Sequence, residues 1–97
     1  SYLALLRAEA LHSTQVFSFL NQTKHFLQNA GTGNIQLLGP APALMQKKAR
    51  YFRGQLLLQA QDRPSLHTAL KVLQAYLQEI ETHKIRCAID VDPLEMG

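Results

Sequence analysis

The sequence predicts an α+β fold of the split βαβ type, β-α-β-β-α-β, with a four-stranded, mostly antiparallel sheet and both helices on one face. Three observations predict it. Two stretches repeat apolar residues at three- and four-residue steps, from Val16 to Ala30 and from Leu66 to Ile80. Four others are apolar runs or alternate apolar with polar residues, at 2–8, 35–38, 50–60 and 85–92. Gly and Pro punctuate the joins, and 97 residues leave room for one domain, 1–97, with little for a second core.

Tyr2-Leu3-Ala4-Leu5-Leu6-Arg7-Ala8 is short and apolar and reads as a strand inside a sheet, although Leu and Ala also tolerate a helix. Ser13 and Thr14 offer hydroxyls as helix N-caps. After them Val16, Phe17, Leu20, Leu27 and Ala30 form a stripe, with Gln22, Lys24 and Gln28 off it, until Gly31 and Gly33 stop the helix. Ile35 to Leu38 is a brief second strand that runs into Gly39. Pro40 and Pro42 lack amide donors and fix φ, so 40–42 is expected to be an extended connector rather than central strand.

Arg50 to Ala60 reads as a long third strand. One face carries Phe52, Leu56, Leu58 and Ala60; the other carries Tyr51, Arg53, Gln55, Leu57 and Gln59, so Tyr51 and Arg53 point outward together. Asp62 to Ser65 makes the next turn, with Pro64 suited to a first helical turn. Leu66, Ala69, Leu70, Leu73, Tyr76, Leu77 and Ile80 follow as a stripe, with Gln74, Gln78 and Glu81 off it. Ile85 to Asp92 alternates as a half-buried last strand, Pro93 ends it, and Leu94 to Gly97 is a short tail. The second sheet face stays open, and Leu3, Leu5 and Leu57 on it would suggest a docking surface.

Apolar residues make up 46%, a globular proportion. A net charge of +3 and a pI near 9.3 are a mild basic bias, compatible with anionic partners. Cys87 is the one cysteine, so no intramolecular disulfide forms. No stretch approaches the roughly 20 apolar residues of a membrane span, and no signal peptide is visible. The chain opens on Ser1 and an apolar run, from which a C-terminal piece of something longer is expected.

Catalytic chemistry finds little support. His12, His25, His67 and His83 are scattered, with no pair three or four apart and no second Cys, so no metal set is picked. Asp90 and Asp92 resemble paired acids but lack a matching base or Gly-rich loop, and are expected to fix a strand end through hydrogen bonds or an Arg partner. Cys87, alternating with Ile85 and Ile89, reads as a small core hydrophobe. Ser13 and Ser65 read as caps, with no triad order, and no GxxxxGK[ST] loop occurs. An acyl-phosphate hydrolase on this fold would need an Arg in the loop after the first strand, where His12-Ser13-Thr14 offers none.

One cluster does carry a chemistry. Lys47, Lys48, Arg50 and Arg53, four of the ten Lys and Arg, fall within seven residues, with Tyr51 and Phe52 between the last two. Cations neutralise phosphates and rings accept base faces, as a nucleic-acid surface requires. The competing reading is a Pro-stiffened loop and a hairpin strand whose cations are simply solvated.

The blocks Leu38-Gly39-Pro40-Ala41-Pro42-Ala43, Arg50-Tyr51-Phe52-Arg53-Gly54-Gln55-Leu56-Leu57-Leu58 and Ile89-Asp90-Val91-Asp92-Pro93 occur in that order. This pattern, followed by a short tail, resembles the C-terminal domain of the PriA family (primosomal protein N-prime), the bacterial replication-restart DNA helicases. The resemblance spans the whole chain. It departs at Gly54, where relatives often carry a ring.

The resemblance implies a parent that is a 3′-to-5′ ATP-dependent DNA helicase of the bacterial cytoplasm and nucleoid, recognising abandoned forks and reloading the replicative machinery. ATP, magnesium and zinc would belong to upstream parts and no cofactor to this one. It implies a split βαβ terminal domain like a small ribosomal-subunit protein, associated with DNA. Lys47, Lys48, Arg50 and Arg53 would then contact phosphates of single-stranded or forked DNA, and Tyr51 would stack on a base. It also implies a pocket for the acidic tail of single-stranded-DNA-binding protein. Arg63 best matches the Arg of that pocket and would offer a bidentate fork to a carboxylate. The alternative is a structural domain whose open sheet face packs on the helicase core without touching DNA.

Overall fold

Every second residue along the two central strands is buried. In β1 (Tyr2–Ala10) these are Ala4, Leu6, Ala8 and Ala10; in β3 (Tyr51–Ala60) they are Gly54, Leu56, Leu58 and Ala60. That face is covered by α1 (Ser13–Asn29) and α2 (Arg63–Glu79), while β2 (Ile35–Lys48) and β4 (Arg86–Val91) complete the sheet. The computed structural model describes residues 1–80 and 84–91, without the side chains of Leu44, Met45 and Lys48. What the sequence suggested for Glu81, His83, Asp92, Pro93 and the tail 94–97 lies outside the described residues.

The strand order is β2-β3-β1-β4 and every pairing is antiparallel, which is the predicted split βαβ arrangement. Register follows the hydrophobic pattern: Leu6 sits opposite Leu56 on one side and Ile89 on the other, all toward the helices. The helices contribute Val16, Phe19, Leu20, Leu27, Leu66, Ala69 and Leu73 to the core. Thr23 is fully buried among them and its hydroxyl donates to the Phe19 carbonyl at 2.9 Å. Ala30, assigned to the stripe by spacing, lies exposed beyond the helix end.

Gly54 explains how closely α1 seats on the sheet. A Cβ there would meet Val16 Cγ1 at 2.8 Å and Leu20 Cδ1 at 3.1 Å. Gly54 thus faces the helix, not the outer surface, and α1 occupies the space.

Three local expectations are corrected. Residues 40–42 are not a connector but belong to β2, which runs from Ile35 to Lys48 with register shifts between Leu38 and Ala41 and between Pro42 and Lys47. β2 is an edge strand, so an outward-facing proline costs no ladder bond, and the irregularities absorb the rest. Gly39 (φ 111°) permits the first of them, and its carbonyl accepts from Lys24 Nζ at 2.6 Å. Neither Ser13 nor Thr14 caps α1: His12 holds the N-cap position without a side-chain bond. Ser65 is not a cap either, since Asp62 caps α2 by accepting from the Ser65 amide at 2.8 Å. That bond holds the Asp62 carboxyl below its ordinary pKa.

Candidate nucleic-acid interface

The helix-free face of the sheet is built by the other half of each alternation. Its rows follow from register: Leu38, Leu57, Leu5 and Asp90 form one, then Ala41, Gln55, Arg7 and Ala88, then Arg53, Glu9 and Arg86. One end of the face is therefore apolar and the other charged. Leu38 is 42% exposed, and Leu3, Leu5 and Leu57 are half-buried.

The charged end is held by short-range electrostatics. Glu9 stands between two guanidiniums, 3.6 Å from Arg53 Nε and 3.4 Å from Arg86 Nη1. Arg86 also covers the Tyr51 ring, its guanidinium carbon 4.1 Å from the centroid. Arg7 pairs with Asp90, the Arg partner expected for that acid. Within the row of Arg53, Glu9 and Arg86 one carboxylate meets two cations, leaving a positive surplus beside an aromatic ring. Arg7, Glu9, Ala43, Arg53, Gly54, Arg86, Cys87 and Ala88 enclose a shallow hollow of about 240 Å³ there. Burial pushes the Cys87 thiol up, in keeping with a neutral, half-buried side chain.

The residues picked from the sequence do not form one patch. Tyr51 and Arg53 share the open face, as the alternation requires. Lys47 pairs with Phe52 in register and its Nζ lies 4.9 Å from the Phe52 ring, on the helix side of the sheet. Arg50 is exposed in the two-residue hairpin with Ala49, and Lys48 is described only by its backbone, opposite Tyr51. Arg63 is at the far end of β3, at the start of α2, with its guanidinium carbon 5.6 Å from the Tyr2 ring centroid. About 30 Å of strand separates it from Tyr51 at ~3.3 Å per residue.

Arg7, Glu9, Arg86 and Lys84 were not picked. Alternation could have put Arg7 and Glu9 on the face of Arg53, but only the β1–β4 register brings Arg86 to Glu9. Among the described residues, no group of three His, Cys, Asp or Glu could hold a metal ion, and no helix is long and apolar enough to cross a membrane.

Comparison with known proteins bears on this geometry. Residues 1–94 match the family model described as primosomal protein N C-terminal domain. The whole chain is 40% identical, over 99 aligned residues, to the replication restart protein PriA of Haemophilus influenzae, and spans 13% of that protein's length. A shorter segment, 57% of this chain, is 38% identical to 10% of glucose-6-phosphate isomerase 1 of Chromohalobacter salexigens. The de novo designed protein Foldit4 shares the fold alone, with a TM-score of 0.61 at 4% identity, over 94% of this chain and 97% of that one.

Proposed function

This chain belongs to the primosomal protein N C-terminal domain family, and from that premise we propose that it is a DNA-binding and partner-docking domain of a replication restart helicase. The parent would use ATP, magnesium and zinc in parts outside this chain and act in the bacterial cytoplasm. The observation that carries the DNA reading is the charged end of the open face. There Arg53 and Arg86 outnumber Glu9 around Tyr51, with Arg50 exposed in the adjoining hairpin. Lys47 and Lys48 would add phosphate contacts from the hairpin's other arm. Arg63, at the opposite end, would hold the carboxylates of the single-stranded-DNA-binding protein tail. Placed so, the two ligands would not compete.

Titration of single-stranded and forked DNA at several salt concentrations tests this reading. Log affinity should fall linearly with log salt, and each phosphate-contacting cation removed from Lys47, Lys48, Arg50 or Arg53 should make the slope shallower by roughly 0.7 on a single strand. Absence of binding at low salt would overturn it. A second reading, docking of the open face on the helicase core, is favoured by the row of exposed Leu38 beside half-buried Leu57 and Leu5. The two occupy different ends of one face and are compatible.

A further inference from the structure

Beside the charged row lies a second hollow, of about 410 Å³, lined by Leu11, His12, Gln15, Tyr51, Lys84 and Arg86. Its walls come from three places far apart in sequence: the β1–α1 junction, the start of β3 and the approach to β4. No carboxylate is among the described residues that line it. Lys84 and Arg86 supply cations, and Gln15 and His12 supply polar groups. α1 starts here with no acidic residue in its first turn and no side-chain cap, so its positive end is not neutralised locally. Tyr51 and the 46%-exposed Leu11 provide an apolar wall.

We infer that this hollow seats a phosphodiester of a single-stranded nucleic acid, with Lys84 and Arg86 on the phosphate and Tyr51 and Leu11 against the adjoining sugar or base. The inference rests on the DNA-binding reading above and relocates the strand's path. Because Lys47 lies on the helix side, a strand that meets both Lys47 and Arg53 cannot keep to one surface. It crosses the end of the sheet instead, from Arg50 past Tyr51 and Arg86 to Lys84. An extended polyanion fits better than a free anion, since the hollow continues into the surplus charge around Arg53. Glu9 limits that surplus by pairing with both arginines.

The test is fluorescence anisotropy of a labelled short oligothymidylate against this chain and its variants over a salt series, with circular dichroism melts to confirm folding. Lys84→Ala combined with Arg86→Gln should weaken binding on the order of tenfold at low salt and make the log–log slope shallower by about 1.4, two contacts at ~0.7 each. Glu9→Gln should act in the opposite direction and tighten binding several-fold. Lys84→Ala alone, at an exposed position, keeps the test meaningful if the Arg86 variant fails to fold. An unchanged slope in a folded Lys84→Ala variant whose parent binds would overturn this inference and leave the DNA reading standing. Displacement of the oligonucleotide by millimolar inorganic phosphate would assign the hollow to a free anion and overturn it too. No binding by the parent chain would overturn both.

Discussion

Arg86 lies over the Tyr51 ring, its guanidinium carbon 4.1 Å from the centroid, while the same guanidinium reaches Glu9 at 3.4 Å. The contact joins β4 to β3 across β1, and it places a cation on the ring proposed for base stacking. Arg86 is 64% exposed, so solvent weakens the attraction. A double-mutant cycle with Arg86→Ala and Tyr51→Ala, read by urea unfolding, should give a coupling of about 0.5 kcal/mol. Additive effects would show that the stack contributes nothing to stability.

Gly54 should resist any side chain. A methyl group there meets Val16 at 2.8 Å and Leu20 at 3.1 Å, both fully buried and unable to retreat. Gly54→Ala is expected to cost about 1–3 kcal/mol in urea denaturation, despite the usual gain from replacing glycine in a strand. An unchanged midpoint would mean that α1 can lift from the sheet at no cost.

Ala49 should accept glycine gladly. Its φ of 55° lies in the left-handed region, which costs a non-glycine residue about 1–2 kcal/mol. Ala49→Gly relieves that and gives back roughly 0.5–1 kcal/mol of unfolded-chain entropy. A higher melting temperature is expected, with the salt slope of DNA binding unaltered. A lower one would show that the hairpin's conformation is not strained.

Acid should loosen the start of α2. The Asp62 carboxylate accepts from the Ser65 amide, which lowers its pKa in the folded chain. A depressed folded pKa means that its stabilisation is present above the unfolded value, near 4, and is lost as pH falls through the folded one. The melting temperatures of the parent and of Asp62→Ala should therefore differ at neutral pH, and the difference should shrink as the pH falls below the ordinary carboxylate range. A constant difference across that range would remove the charge from the cap.

Much of the architecture was legible because burial of one face enforces a period of two. Tyr2–Ala10 and Tyr51–Ala60 keep that period strictly, and the stripe from Leu66 to Leu77 faces the core as its spacing requires. What escaped was set by neighbours rather than by spacing. Pro40 and Pro42 belong to a strand only because β2 lies at an edge, a property of strand order. Asp62, not Ser65, caps α2 because the helix already begins at Arg63, one residue ahead of Pro64. The site was half-legible for the same reason. Tyr51 and Arg53 follow from alternation within β3, whereas Arg86 and Lys84 join them through the pairing of β4 with β1, segments from opposite ends of the sequence. Lys47, adjacent in sequence, is sent to the other side by the pairing that places it opposite Phe52.

The two prolines in the outermost strand have a consequence for how copies of this chain can meet. A sheet with a row of leucines on its bare side invites stacking, and a free strand margin would let such a stack grow sideways into a fibre. Pro40 and Pro42, with the broken register around them, leave that margin without a regular ladder for a newcomer to match. The open face can thus stay apolar while one route to polymerisation is closed.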